Sequence, residues 1–223
     1  MKYILKLLLF STLALAQEGS LAKQLINEHN CDQVLHNDGY FLTCYDYKAK
    51  GAKYVAYTLD SKLINKANIK KRPRFYPDKN IPKRFRSEPS DYTHNLYNQD
   101  RGHLANDAAF DYSHRSLHAV YVMSNIIPQA STINRSKSEW AGAERYERAI
   151  AVKLGKINVL NGVVYSKKLK RIGRNQIAIP ESFWKMIYSE DGKFKKCFYF
   201  ENKQIKGKKR LKDSEVECDS LVR

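Results

Sequence analysis

The chain has one long apolar run, and that run lies at its very start. It extends from Leu7 to Ala16, follows Lys2 and Lys6, and ends in an Ala-Leu-Ala segment. A basic start, a short apolar stretch and small residues at its end are typical of a secretory signal peptide. The run is shorter than the roughly 20 residues that a membrane-spanning helix requires. We therefore expect residues 1–16 to be cleaved, and the mature protein to be secreted or periplasmic without a membrane segment.

The composition is that of one globular domain, which we expect over residues 17–223. The 223 residues are 43% hydrophobic and 12% aromatic, which is enough for one packed core. Disorder is disfavoured because apolar residues recur along the chain, and the low glycine and proline content excludes a collagen-like fold. Forty Lys and Arg residues against 23 Asp and Glu give a net charge of +17. This charge favours a polyanionic partner, either nucleic acid or an anionic lipid or glycan surface.

Four cysteines limit how the two ends of the domain can fold. Cys31, Cys44, Cys197 and Cys218 are an even set in a chain expected to meet oxidising conditions, where disulfides form. Of the three possible pairings, their order favours two local bridges, Cys31–Cys44 and Cys197–Cys218. Buried thiols are the alternative. A zinc site is disfavoured because the sequence has no C-x-x-C motif.

The hydrophobic pattern predicts an α+β fold with a central antiparallel β-sheet and flanking helices. Strands are expected at residues 40–47, 53–59, 120–125, 157–165, 183–189 and 193–201, and helices at residues 20–29 and 138–154. The long helix carries an apolar stripe of Trp140, Ala143, Tyr146, Ile150 and Leu154 and ends at Gly155. An Asp-Gly pair at 191–192 favours a hairpin between the last two strands. Residues 61–100 have little periodicity, and so long a loop usually has a function.

Side chains suited to acid–base and metal chemistry concentrate between residues 100 and 147. The tetrapeptide Asp-Arg-Gly-His at 100–103 is followed by Ser-Asn-Ile-Ile-Pro-Gln at 124–129, then by Asn134 and a helix bearing Glu144. In this order the segments resemble the DNA/RNA non-specific endonucleases, a branch of the ββα-metal (His-Me finger) nucleases. Three further segments extend the resemblance from about residue 40 to residue 200. They are Arg-Pro-Arg-Phe-Tyr at 72–76, Asp-Tyr at 91–92 and Ile-Pro-Glu-Ser-Phe-Trp-Lys at 179–185.

The resemblance implies a ββα-metal finger active site that uses Mg²⁺, with Mn²⁺ as a substitute. It implies that Asn134 is the metal ligand and that Glu144 contacts a water molecule on the metal. An amide carbonyl is a hard oxygen ligand, and Mg²⁺ keeps most of its water shell, so one protein ligand is compatible with binding. Asn134 and Trp140 lie about two residues further apart than the family pattern, so Glu139 and Glu147 remain alternatives to Glu144.

The remaining roles follow from side-chain chemistry. The ordinary pKa of histidine suits a base at neutral pH, so we expect His103 to activate the attacking water, with the preceding glycine letting the backbone turn closely. Arg101 and Arg74 are expected to neutralise charge on the phosphate during catalysis. Nucleic-acid binding is assigned to Arg72, Arg74 and Arg101. Glu144 could instead be only part of an i,i+4 pair with Arg148 on a solvated helix face.

Two further patterns have mainly structural interpretations. Asn125 and Gln129 are expected to hold a loop by side-chain hydrogen bonds. His114 and His118 share a helical spacing that can bind zinc, but Arg115 replaces the catalytic Glu of such motifs and no third ligand is evident.

We therefore expect a secreted endonuclease, dependent on Mg²⁺, that tracks the phosphate backbone of DNA and RNA without sequence specificity and leaves 5′-phosphate ends. Basic clusters at 70–86, 167–174 and 203–212, the last in a basic C-terminal segment, support this expectation. The alternative is an exported basic module that binds nucleic acid or anionic glycans without catalysis.

Overall fold

The structure is a computed structural model that describes residues 31–135, 137–205, 207 and 209–221. The expected signal peptide and the helix predicted at 20–29 lie outside the described residues. Eleven strands are described: β1 (Gln33–Leu35), β2 (Leu42–Asp46), β3 (Gly51–Asp60), β4 (Gln99–His103), β5 (Ile126–Ala130), β6 (Lys156–Val164), β7 (Arg171–Ile172), β8 (Ile177–Ala178), β9 (Ser182–Tyr188), β10 (Lys195–Glu201) and β11 (Glu215–Val216). The α-helices described are α1 (His114–Ala119), α2 (Ser131–Asn134) and α3 (Glu139–Leu154).

Seven strands form one antiparallel sheet in the order β1-β2-β3-β6-β9-β10-β11. Strands β4 and β5 form a separate antiparallel hairpin, and β7 and β8 form another. The α+β class with a central antiparallel sheet is therefore confirmed, as is the hairpin between β9 and β10. No helix among the described residues is long and apolar enough to cross a membrane.

The strand predicted at 120–125 is wrong. Those residues continue from the end of α1 into a 3-10 turn at Met123–Asn125, and the strand begins at Ile126. Val120 and Met123 are fully buried, so their apolar character reflects burial and not a strand. The pairing partner β4 reaches only residues 126–130, because His103 lies opposite Ile126.

Helix α3 begins and ends where the sequence indicates. The Ser138 side chain accepts a hydrogen bond from the Ala141 amide at 3.1 Å, and Gly155 ends the helix with a φ of 85°. The predicted apolar stripe is correct at Trp140 but wrong at Leu154, which is 43% exposed. Glu147 lies fully buried on the same face.

Apolar residues are buried on both faces of the large sheet. One cluster contains Trp140 of α3, Phe183 and Phe200 of the sheet and Ile127 of the small hairpin. The cluster on the other face includes Cys44 and Cys197. The two expected disulfides, Cys31–Cys44 and Cys197–Cys218, are both formed, each with Cα atoms 5.2 Å apart.

Candidate active site

The tetrapeptide at 100–103 occupies β4, which pairs with β5 so that Arg101 lies opposite Pro128. Helices α2 and α3 follow β5 directly, which is the strand-strand-helix order expected for a metal finger. The turn that connects the hairpin to the core is held by Asn125. Its carboxamide accepts from the Ala105 amide at 2.8 Å and donates to the Ala105 carbonyl at 2.9 Å. The loop-holding role predicted for Asn125 is confirmed.

Gly102 serves a different purpose from the one expected. It lies within the extended strand β4, and a Cβ atom there would lie 2.2 Å from the Gln129 side chain. The glycine therefore makes room for Gln129 and does not serve a backbone turn. Both polar atoms of the Gln129 carboxamide are buried without a hydrogen-bond partner among the described residues. Buried polar groups usually have partners, so the loop-holding role predicted for Gln129 does not match these contacts.

His103 packs against two aromatic rings, which also contact each other. The ring centres of Phe75 and Tyr121 lie 5.4 Å and 4.8 Å from that of the imidazole. Burial lowers the pKa of His103 to about 4, Asp107 opposes this effect and Arg72 adds to it. The imidazole is therefore neutral at pH 7. Its Nε2 atom is enclosed and has no partner within the described part of the chain, so Nδ1 is the nitrogen that remains to meet a water molecule.

Two carboxylates hold Arg72 beside His103. Its Nε atom lies 2.9 Å from Asp107 Oδ2, and one of its terminal nitrogens lies 3.4 Å from Asp111 Oδ2. The Tyr121 hydroxyl donates a 2.9 Å hydrogen bond to the same Asp107 oxygen. Arg74 is exposed and makes no side-chain ion pair or hydrogen bond with the described residues. Of the two arginines, Arg74 is therefore the one whose charge is available to a phosphate.

Arg101 is oriented by its surroundings. It donates hydrogen bonds of 2.8 Å and 3.3 Å to the Pro89 carbonyl, and its guanidinium lies 5.6 Å from the Phe75 ring centre and 5.7 Å from that of Tyr92. Phe75 thus contacts both Arg101 and His103. Asp91, which is fully buried, accepts a bond of 2.9 Å from the Asn175 amide and fixes the turn that carries Pro89 and Tyr92. This contact explains the Asp-Tyr pair at 91–92.

Asn134 lies near the other end of β4. Its amide nitrogen donates to Asp100 Oδ2 at 3.3 Å, and Arg135 approaches the same oxygen at 3.2 Å. The bond to Asp100 commits the nitrogen of the carboxamide, so the carbonyl oxygen is the atom of Asn134 that could bind a metal. Among the described residues, no group of three His, Cys, Asp or Glu side chains is arranged to hold a metal. A single hard oxygen ligand suits Mg²⁺, which retains most of its water shell.

Glu144 is the carboxyl group of α3 whose pKa is shifted by its surroundings. The side chain is half-buried, and burial raises its pKa to about 8, with Lys185 partly opposing and Glu147 adding to the rise. A bound cation would favour the charged carboxylate. The Asn134 carbonyl and the Glu144 carboxylate are oxygen donors, the kind of ligand that fits Mg²⁺. The structure groups His103 and Arg101 around Phe75, with Arg72 within electrostatic reach of His103 and Glu144 within electrostatic reach of Asp107.

Glu139 and Glu147, the two alternatives to Glu144, are bonded to other parts of the protein. Glu139 accepts from Ser214 and lies 3.2 Å from Lys209, so it binds the C-terminal segment. Glu147 forms a fully buried ion pair with Lys185 at 2.6 Å. Glu144 is therefore the acidic residue of α3 best placed for the site. His118 of the unused histidine pair stacks on Tyr76 with ring centres 4.4 Å apart.

Comparison with known proteins gives matches over most of the chain. The profile of the family described as DNA/RNA non-specific endonuclease matches residues 19–223. "Endonuclease G, mitochondrial" of Caenorhabditis elegans is 29% identical over 199 residues, which cover 82% of this chain and 63% of that protein. "Nuclease 1, mitochondrial" of Schizosaccharomyces pombe is 27% identical over 166 residues, which cover 69% of this chain and 50% of that protein. The chain thus spans half to two thirds of these relatives' length.

A solved structure shares the fold. The crystal structure of an EndoG/EndoGI complex aligns with a TM-score of 0.72 over 82% of this chain and 79% of that one, at 24% identity.

Proposed function

Because the chain belongs to the DNA/RNA non-specific endonuclease family, we propose that it hydrolyses internal phosphodiester bonds of DNA and RNA. The proposal includes dependence on Mg²⁺, 5′-phosphate products and export from the cytoplasm. The neutral, partly enclosed imidazole of His103 carries the catalytic part. Its pKa of about 4 leaves a nitrogen lone pair available at neutral pH, which a general base requires.

In this mechanism His103 takes the proton of the attacking water at Nδ1. Its ring is held by Phe75 and Tyr121, so little reorientation is needed when the substrate binds. The Asp107 carboxylate stabilises the developing imidazolium, because its negative charge opposes the lowering of the His103 pKa by burial. These residues account for water activation.

The phosphate is bound by positive groups that are present before the reaction. Arg101 holds its guanidinium against the Pro89 carbonyl, and Arg74 adds an exposed positive charge. Asn134 would hold Mg²⁺ through its carbonyl oxygen and Glu144 would lie beside it; when bound, the ion supplies a positive charge that stabilises the phosphorane and the departing oxygen. Such groups act most strongly when they are already oriented toward the developing charge.

The lack of preference between DNA and RNA follows from the choice of nucleophile. A base acting on external water does not need the 2′-hydroxyl of the substrate, so DNA is not excluded. The polarity of cleavage rests on the family resemblance alone.

Export is supported by two independent features. The first 16 residues have the pattern of a signal peptide. All four cysteines are paired in two disulfides, and such bonds persist in oxidising compartments.

End-labelled single- and double-stranded DNA and RNA, digested in parallel with and without a chelator, test the proposal. We expect internal cleavage of all four substrates, 5′-phosphate ends and loss of activity with chelator. Binding without cleavage would instead favour the basic binding module, and cyclic phosphate ends would exclude water as the nucleophile. Fractionation of producing cells tests export.

A further inference from the structure

We propose that Asn106 is a positioning residue, which connects the buried Lys185–Glu147 ion pair to the turn that follows His103. Through this connection the acceptor oxygen of Glu147 keeps Asp107 beside the imidazole. The inference rests on the proposed function, and it requires Glu147 to supply an oxygen acceptor for Asn106 rather than a charge.

The ion pair provides a rigid attachment point. Lys185 of β9 and Glu147 of α3 have no exposed side-chain surface, and their charged atoms lie 2.6 Å apart. The Lys185 ammonium also donates to the Tyr57 hydroxyl at 3.2 Å and lies 4.7 Å from the Trp140 ring centre. The Tyr57 hydroxyl in turn donates to Glu147 Oε1 at 2.8 Å. Two strands and one helix thus fix the carboxylate.

Asn106 joins this attachment point to the active-site turn. Its amide nitrogen donates to Glu147 Oε1. Its carbonyl oxygen accepts from the Ala109 amide at 3.0 Å and from Arg148 at 3.0 Å. Asn106 is 1% exposed and caps the short 3-10 helix Asp107–Ala109. Every polar atom of its side chain therefore has a defined partner.

The turn held by Asn106 presents Asp107 to the catalytic histidine. The charged groups that act on His103 are Asp107 on this turn and Arg72 on the preceding loop. The Tyr121 hydroxyl donates to Asp107, and its ring centre lies 4.8 Å from that of His103. A displaced turn would move Asp107 away and remove the group that favours the imidazolium. Asn106 is thus placed to act on His103 through Asp107 without touching the substrate.

A purely stabilising role would not require this arrangement. Buried ion pairs contribute little net stability compared with apolar residues of the same volume, because desolvation offsets their attraction. Glu147 directs one oxygen at Lys185 and the other at Asn106 and Tyr57. The acceptor for Asn106 can therefore be separated from the charge by substitution.

Two double variants perform that separation. Lys185→Met with Glu147→Gln removes both charges but keeps an oxygen acceptor for Asn106, whereas Lys185→Met with Glu147→Met removes the acceptor as well. We expect near wild-type kcat from the first. The second, like Asn106→Ala, should lose about tenfold in kcat with KM little changed, since small misplacements of catalytic groups cost one to two powers of ten.

Asn158→Ala is the matched control. Asn158 is also buried and bonded through both ends of its carboxamide, to Thr58 and Glu190. It lies in the part of β6 that pairs with the end of β3. We expect a lower melting temperature from this variant and unchanged kcat.

An NMR titration of His103 gives a readout that does not depend on turnover. In Asn106→Ala the pKa of His103 should fall further below its ordinary value, because Asp107 no longer favours the charged form. Wild-type kcat with a wild-type His103 titration in this variant would overturn the inference, as would wild-type kcat in the Met/Met double variant. If the wild-type protein cuts no nucleic acid, the proposed function fails while the titration still tests Asn106.

Discussion

The carboxamide of Gln129 lies across Gly102, so close that a Cβ atom at residue 102 would approach it within 2.2 Å. This contact packs β5 against the strand that carries both Arg101 and His103. The distance between β4 and β5 therefore depends on the absence of a side chain at Gly102.

Gly102→Ala is expected to destabilise the protein by roughly 1–3 kcal/mol, as overpacking of buried sites does, and to lower turnover sharply because the hairpin must move. Gly142→Ala is the control, since a Cβ there meets Leu211 at an ordinary 3.5 Å. Thermal unfolding and nuclease assays on both variants check this. Wild-type turnover in Gly102→Ala would show that the hairpin tolerates the shift.

His103→Ala is expected to lower kcat by two to four orders of magnitude, the usual contribution of a general base. DNA binding should persist, because phosphate affinity depends on the basic residues and not on His103. Single-turnover kinetics and a fluorescence binding titration separate the two effects. Near wild-type hydrolysis in this variant would exclude His103 as the base.

The lowered pKa of His103 predicts a pH dependence of stability. The unfolded chain binds this proton near pH 6.5, whereas the folded protein binds it only near pH 4. The unfolded state therefore holds more protons between these values, and the free energy of unfolding falls as the pH drops through that window. The shift corresponds to about 3 kcal/mol, lost between pH 6.5 and 4 with little further loss below.

Urea unfolding of wild type and His103→Gln across this range measures the effect. The difference between the two proteins isolates His103 from the acidic residues, which both share. Parallel curves for the two proteins would show that His103 titrates alike in the folded and unfolded states.

Asn134→Ala is expected to lose activity that a higher Mg²⁺ concentration partly restores, because one ligand is missing while the water shell and the phosphate remain. Activity measured as a function of Mg²⁺ gives the shift in apparent affinity. Thr132→Ala is a control on the same helix, because the Thr132 hydroxyl bonds to residues 203 and 205 of the C-terminal segment and to no other described residue. Unchanged metal dependence of Asn134→Ala would place the ligand elsewhere.

Removal of the Cys197–Cys218 bridge by a double serine substitution is expected to cost roughly 3 kcal/mol, on the loop-entropy estimate for cysteines 21 residues apart. Denaturant unfolding measures the loss, and non-reducing mass spectrometry verifies the pairing. The Cys31–Cys44 bridge, with a separation of 13 residues, should cost slightly less when removed.

The sequence by itself determined the features that depend on neighbours along the chain. Helix α3 was found because Ser138, the apolar spacing and Gly155 are local signals, and both disulfides join cysteines that are adjacent in order. The tetrapeptide at 100–103 likewise identified His103 and Arg101, since a motif is a local string of residues.

Only the tertiary structure decided which polar residues meet. Glu147 accepts hydrogen bonds from Tyr57, Asn106 and Lys185, which lie 90, 41 and 38 residues away along the chain. No periodicity in the sequence indicates those contacts. The same holds for the packing of the Gln129 side chain on Gly102 and for the ion pairs of Arg72 with Asp107 and Asp111. Burial changes the pKa of His103 and the environment of Glu144, and burial is a property of the packed sheet, hairpin and helix together. Local patterns therefore gave the residue types of the site, whereas packing over long sequence distances set their protonation, partners and roles.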